Sequence, residues 1–248
     1  MTTTDNPLTI HAHRTVQEMG VAAAAAAAPV LREAIAARGS ARLMLAAAPS
    51  QSATLRALAV AEDLDFSAID CFHMDDYIGL ASDAPQGFGN WLENELFSRV
   101  SPRAFHRIDV TADPESSAAA YREVMGDEPF DVTLCGLGVN GHLAFNDPPA
   151  DFADPLTARV VELDRVSRQQ QLDEGHFPSL DAVPVHAITV TIPRLLNARR
   201  IVASVPTGVK RQAVHDAVNQ PISGTHPGTA LRTHSDAHLF VDAEADPR

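Results

Sequence analysis

The sequence predicts a three-layer αβα fold around a mostly parallel, Rossmann-like sheet. Short continuous apolar runs, which suit strands covered on both faces, alternate with longer helix-like segments. That alternation favours parallel pairing, with helices on either side of the sheet. The 248 residues, 45% of them hydrophobic, are ample to bury such a core. No internal repeat and no long Gly/Ser/Pro linker divides the chain, so residues 1–248 are expected to form a single domain.

The elements follow in order. Residues 15–37 read as a helix, with the alanine run Ala22 to Ala28 as its tightly packed middle. The apolar run 41–48 reads as a strand and 52–64 as the next helix. Residues 68–74 form a second strand, followed by helices over 87–100 and 114–125. A third strand is expected over 130–136. The proline-rich stretch 147–155 reads as a long loop and a candidate site loop or lid. A helix over 167–174, strands over 187–192 and 200–206, a helix over 207–218 and a strand over 237–242 complete the pattern.

Charge and cysteine content exclude several classes. Lys and Arg number 19 against 32 Asp and Glu, a formal net charge of −13. With no basic run, nucleic acid and anionic membranes are poor partners. Cys71 and Cys135 are too few for a disulfide scaffold or a cysteine-rich metal site, and both sit in apolar runs. The polar N-terminus lacks a signal-peptide apolar segment, and the alanine run is too short to span a bilayer. A cytoplasmic location is expected.

In sheets of this kind ligands bind beyond the carboxyl ends of the strands. Four segments follow predicted strands directly: APSQS (48–52), HMDDY (73–77), GLGVNGHLAFNDPP (136–149) and PTGVK (206–210). All four are expected to open on one edge of the sheet, and converging polar groups there mark a candidate site.

GLGVNGHLAFNDPP contains Gly136, Gly138 and Gly141 in G-x-G-x-x-G spacing. A dinucleotide site is disfavoured, because Pro148 and Pro149 forbid the long helix that motif opens. The alternative is a glycine-lined turn that admits a ligand close to the backbone and presents His142. Near Asn140 and Asp147, His142 is either an oriented acid/base or a buried structural histidine. Asp75 and Asp76 are adjacent, so they point different ways. One can face a partly dry cleft and shuttle a proton on carbon while the other anchors the loop. A pair capping the next helix is the plainer alternative, and a metal held by His73 and Asp75 is less favoured still, for want of further ligands. Thr207 and Gly208 lie at a strand-to-helix turn whose free N–H groups, with Lys210, suit a phosphate. Arg168 is a second candidate phosphate ligand, and Ser50, Gln51 and Ser52 offer further donors.

The chain resembles the glucosamine-6-phosphate deaminase/isomerase family, whose fold is shared with the 6-phosphogluconolactonases. FHMDDYIGL, GLGVNGHLAFNDPP and PTGVKRQAV carry the resemblance, in the family's order and over roughly the whole chain. The NGHLAFN run is similar to the deaminase branch. The resemblance implies the deaminase/isomerase-type fold and an amino-sugar phosphate substrate, with no metal and no organic cofactor. It implies that Asp75 moves a proton between C2 and C1 and that His142 assists ring opening. Asn140 and Asp147 would support His142, with Asp147 orienting it. The resemblance places Lys210 on the phosphate; Ser50, Gln51, Asp76, Gly141 and Arg168 are this chain's further candidate substrate-binding residues.

Four departures from the family pattern stand out. Asn140 replaces a frequent Asp, and Asp147 replaces a frequent Glu. The first phosphate loop reads AAAPSQ in place of a Thr-Gly-Gly-Thr turn, and Pro49 has no N–H to donate. The family's phosphate-contacting arginine is displaced, with Arg168 the nearest substitute. The carbon chemistry is thus expected to persist while substrate recognition changes. A phosphosugar lactonase and a non-catalytic sugar-phosphate sensor are the competing expectations. The oligomeric state, a homo-oligomer included, stays open.

Overall fold

The computed structural model describes residues 8–248. Strand β1 (Thr9–Ala12) leads into helix α1 (Val16–Arg38). Thr15 caps α1 by accepting the Glu18 N–H at 3.1 Å, and Gly39 ends it in the left-handed region at φ +78°. Strands β2 (Ala41–Leu45) and β3 (Ile69–His73) flank α2 (Ser52–Ala59). After β4 (Asp75–Tyr77) come α3 (Phe88–Leu92), a π-helical turn (Glu93–Phe97), β5 (Ala104–His106), α4 (Pro114–Met125) and β6 (Phe130–Cys135). The C-terminal part holds β7 (Ala158–Glu162), α5 (Arg165–Asp173), β8 (His186–Val190), α6 (Ile192–Leu196), β9 (Ala198–Ser204), α7 (Arg211–Asn219) and β10 (Ala237–Val241).

Seven strands pair in parallel in the order β1-β10-β9-β6-β2-β3-β5. Alternate residues of each strand feed opposite layers. Leu43, Leu45, Cys71, Val132 and Leu134 pack against α1 and α2 through Met19, Ala23, Ala27, Leu31, Leu55 and Leu58. Met44, Phe72 and Phe130 join the opposite core with Ala118, Tyr121 and Met125 of α4 and Val214 and Ala217 of α7. The expected αβα layering and mostly parallel sheet are therefore present.

Helix α1 alone among the described helices is long and apolar enough to cross a membrane by composition, and half of its apolar stretch is buried. Its alanines let it lie close on α2 and the sheet. Cys71 and Cys135 are free and buried, and burial pushes the Cys135 thiol up to about 12.

Several expectations need correction. Residues 187–192 do not join the parallel sheet. As β8 they form a separate three-stranded antiparallel sheet, in the order β4-β8-β7, with Asp76 opposite Ile188 and Val160 also opposite Ile188. The tripeptide Asp75–Tyr77, expected as loop, is one of the two edge strands of that sheet. Strands β1, β5 and β7 escaped the sequence reading because they are short and mixed in polarity: all three are edge strands and none is a continuous apolar run. The expected helix over 87–100 ends in the π-turn. That over 207–218 begins as a 3₁₀ turn (Gly208–Lys210) before α7.

Candidate active site

The four loops after β2, β3, β6 and β9 meet at the carboxyl edge of the sheet, where α5 closes them over. They enclose an open cleft of about 530 Å³. Ser50, Gln51, Asp75, His142 and Lys210 all line it, with Met74, Phe88, Leu137 and Phe145 as apolar walls.

Alternation along β4 separates the two adjacent carboxylates. Asp75 reaches the cleft, is 6% exposed, and receives no hydrogen bond to its carboxyl from any described residue. Burial, reinforced by the nearby Asp76 charge, therefore raises its pKa well above the ordinary carboxylate range. Asp76 turns the other way. Its oxygens accept the N–H groups of Tyr77, Phe88 and Gly89 at 2.8, 2.9 and 3.0 Å. It fixes the start of α3 against β4 and does not line the cleft, which corrects its expected substrate contact.

His142 is 8% exposed and held from behind. Its Nδ1 lies 3.1 Å from Asp147 Oδ1 and 2.9 Å from Ser167 Oγ. The Ser167 hydroxyl donates its single proton to Asp147, so toward His142 it can only accept. Both neighbours of Nδ1 are then acceptors. That places the imidazole proton on Nδ1 and leaves the Nε2 lone pair unclaimed. Asn140 Nδ2 donates to Asp147 at 3.1 Å, while its Oδ1 accepts the His142 N–H at 3.1 Å. The Asp164 N–H completes the set on Asp147 Oδ2 at 3.1 Å. Gly141, at φ +82°, makes the turn between Asn140 and His142, and lies off the cleft.

Burial works against the Asp147 carboxylate, yet the bond and charge of His142 and the bonds from Ser167 and Asn140 hold its pKa well below the usual 3.8. The folded state thus prefers the ionised form. The stability this adds is complete above pH 3.8 and is lost as pH falls below it. Asp147→Asn is expected to cost about 2 kcal/mol at neutral pH. The gap in urea midpoint between the variant and the parent should narrow steadily below pH 4, where the unfolded parent takes up a proton at Asp147 that the folded protein still refuses.

The glycine turn lines the cleft through Gly136 and Gly138 and presents His142, but two of its glycines are also required by neighbouring side chains. A Cβ on Gly138 would lie 2.2 Å from His142 Cε1, and one on Gly136 would lie 2.9 Å from Gln51 Nε2. The chain's own side chains occupy that room. The 206–210 turn is likewise engaged: the Thr207 and Gly208 N–H groups donate to Asp242 at 3.0 Å and Glu244 at 3.4 Å. Lys210 remains, its side chain 7% exposed and its Nζ 3.7 Å from Glu174 Oε1. Burial lowers its pKa, partly offset by the Glu174 charge. His73 is fully buried and its Nε2 accepts the Ile108 N–H at 2.8 Å, so it is no partner for Asp75 in holding a metal. Burial lowers its pKa to about 4.

A family model described as glucosamine-6-phosphate isomerases/6-phosphogluconolactonase matches residues 14–240. The chain belongs to this family. It is 31% identical to a glucosamine-6-phosphate deaminase of Listeria welshimeri over 193 residues, 77% of this chain and 81% of the relative. A deaminase of the same name from Streptococcus pneumoniae is 31% identical over 187 residues, 75% of this chain and 78% of that one. Among solved structures, a monomeric glucosamine-6-phosphate deaminase, described as a missing link of the NagB superfamily, matches with a TM-score of 0.86. It is 30% identical and covers 96% of this chain and 98% of its own. A putative 6-phosphogluconolactonase from Neisseria gonorrhoeae shares the fold at a TM-score of 0.75 and 16% identity, over 95% and 99% of the two chains. The family is enzymatic, and this chain is one of its enzymes.

Against the family pattern, Asn140 keeps a hydrogen-bonding place between His142 and Asp147 although it carries no charge. Arg168 does not substitute for the displaced arginine. Its guanidinium donates to the Leu180 and Val183 carbonyls at 2.7 and 3.0 Å and stays off the cleft. Ser167, Gln170, Gln171 and Glu174 were missed by the sequence reading. They gather at the site because α5 is laid across it, and no spacing in the chain announces that crossing.

Proposed function

We propose that this enzyme isomerises and deaminates an amino-sugar phosphate, glucosamine 6-phosphate or a close relative, yielding fructose 6-phosphate and ammonia from the former. One observation carries the reading: a buried carboxyl with a raised proton affinity, Asp75, shares a cleft with a histidine whose tautomer is set from behind. The names of the relatives at about 30% identity support the same reaction.

His142 accepts the anomeric hydroxyl proton at Nε2 and helps return one to the ring oxygen as the pyranose opens. The Asp75 carboxylate then takes the proton from C2 and delivers it to C1. The C2 carbon becomes an imine, water adds to it, and ammonia leaves as the ketone forms. Raised proton affinity makes Asp75 a stronger base than a solvated carboxylate, and the dry apolar wall keeps the proton from exchanging away.

Ammonia release from glucosamine 6-phosphate tests the reading directly. Asp75 must be ionised to accept the C2 proton, so kcat/KM should rise with pH through its elevated pKa. The acidic limb is expected clearly above the ordinary carboxylate value of 3.8. No ammonia from glucosamine or galactosamine 6-phosphate, with hydrolysis of a phosphosugar lactone that survives Asp75→Asn, would replace this reading with a lactonase.

A further inference from the structure

Lys210 is the one lysine or arginine among the described residues lining the cleft, and it already faces a carboxylate: Glu174 Oε1 lies 3.7 Å from its Nζ. Glu174 is held in that place. Gln170 Nε2 donates to its Oε1 at 2.8 Å, and His176 Nε2 lies 3.6 Å from its Oε2. Gln170 is fixed in turn, because its own oxygen accepts the Val139 N–H at 2.9 Å. Burial works against the Glu174 charge, yet the His176 bond, the Lys210 charge and the Gln170 bond hold its pKa below the ordinary 4.5. The carboxylate is therefore a fixed acceptor beside the lysine, with no proton to give.

Backbone donors that could serve an anion nearby are spent. The Thr207 and Gly208 N–H groups donate to Asp242 and Glu244, and Pro49 has none to donate. The dianion of a phosphate monoester has three acceptor oxygens and no donor. Beside Lys210 it sets like charge against Glu174. The monoanion carries one P–OH, and the second phosphate pKa, about 6, keeps that form populated near neutrality.

We propose that Lys210 and Glu174 recognise a phosphate monoester by its proton, taking it as the monoanion, with the P–OH donating to Glu174 while another phosphate oxygen accepts from Lys210. This inference deepens the amino-sugar phosphate reading and rests on it for the place of the phosphate. Each group then has the partner its chemistry requires, and an O–H donor on a carboxylate makes a strong hydrogen bond. A sulfate monoester has the same single charge and nearly the same shape but no proton. The pair therefore discriminates against it.

The test is calorimetric titration with two non-reacting open-chain esters, 2-amino-2-deoxyglucitol 6-phosphate and its 6-sulfate counterpart. It runs from about pH 5.5 to about pH 8, across the second phosphate pKa. Other charged groups share the cleft or the groove beside Glu174: Lys210, His176, Asp75, His142, Arg165 and Asp173, with the Tyr77 hydroxyl kept protonated by burial. Their titration acts on the sulfate as well, so the phosphate-to-sulfate affinity ratio at each pH isolates the proton of the ligand. At the acidic end the parent is expected to prefer the phosphate about 10-fold, the scale of one hydrogen bond to a charged group. The ratio should fall about 10-fold by the alkaline end, as the monoanion is depleted. In Glu174→Gln the amide oxygen keeps the Gln170 bond and the NH₂ donates to either ester, so the two affinities should come within about threefold and the pH trend should vanish. Equal affinities in the parent at the acidic end overturn the proposal, as does a ratio that is flat with pH; neither result depends on the variant folding. Ammonia release from glucosamine 6-phosphate alongside such a result leaves the deamination reading intact. The expected ratio with no ammonia removes deamination and leaves the role of the pair standing, and failure of both esters to bind overturns both.

Discussion

Asp75→Asn is expected to lower kcat for ammonia release about 10³-fold, the scale of a lost general base, while the affinity for a substrate analogue stays within a few fold. The asparagine keeps the volume of the side chain and cannot take a proton from C2. The exchange removes a group whose burial already opposes its charge, so the fold should not suffer. A raised melting temperature in the variant would agree with that argument. The informative measurement is single-turnover kinetics alongside equilibrium binding of a non-reacting open-chain analogue. Full turnover in the variant would remove Asp75 from the chemistry altogether. A parallel loss of binding would show instead that the substitution had disturbed β4.

Gly138→Ala is expected to reduce kcat/KM about 10²-fold, since small misplacements of a reacting group cost that much. The new methyl would stand 2.2 Å from His142 Cε1 and 2.3 Å from both ring nitrogens. The ring must move, and its bonds to Asp147 and Ser167 cannot all follow. Asp75 lies on another strand and keeps its surroundings. The defect should therefore fall on ring opening and spare the later proton transfer. Supplying the substrate in its open-chain form, or measuring proton exchange at C1 of the ketose phosphate, separates the two steps. Recovery of rate with the open form is the expected result. A uniform loss across both forms would locate the damage elsewhere in the cleft.

These two positions illustrate what a linear reading can and cannot reach. Asp75 was legible because an acidic pair ends an apolar run, and strand alternation sends its two members apart. The residue pattern left open which member faces the cleft, and only the family resemblance chose Asp75; the physical cause is the pairing of β8 with β4 from more than a hundred residues away. Gly138 was noticed for its spacing, and the spacing pointed to a ligand approaching the backbone. The actual reason is an internal one, the width of an imidazole. A glycine needed by a side chain looks the same in sequence as a glycine needed by a phosphate.

The recognition shell was the least legible part. Arg168 stood at a plausible place in the chain, and its side chain is spent on two carbonyls of the loop after α5. Glu174, six residues further along, comes to Lys210 instead. Nothing local distinguishes the two, because both are charged residues of one short segment, Arg168 within α5 and Glu174 at its C-cap. The path of α5 over the cleft decides between them.

The sequence alone determined the layered α/β class, through continuous apolar runs that only a sheet covered on both faces can bury. It also determined the loops that carry chemistry, since polar clusters directly after such runs must lie at the strands' carboxyl edge. Only the tertiary structure decided the antiparallel second sheet, the division of labour between Asp75 and Asp76, the hydrogen-bonded support of His142 by Ser167, and the pairing of Lys210 with Glu174. Each of these rests on contacts between segments distant in the chain, made in a dry interior where one misplaced donor or charge is expensive. Local patterns state which residues must be buried; the packing of the whole chain states what each buried polar group meets there.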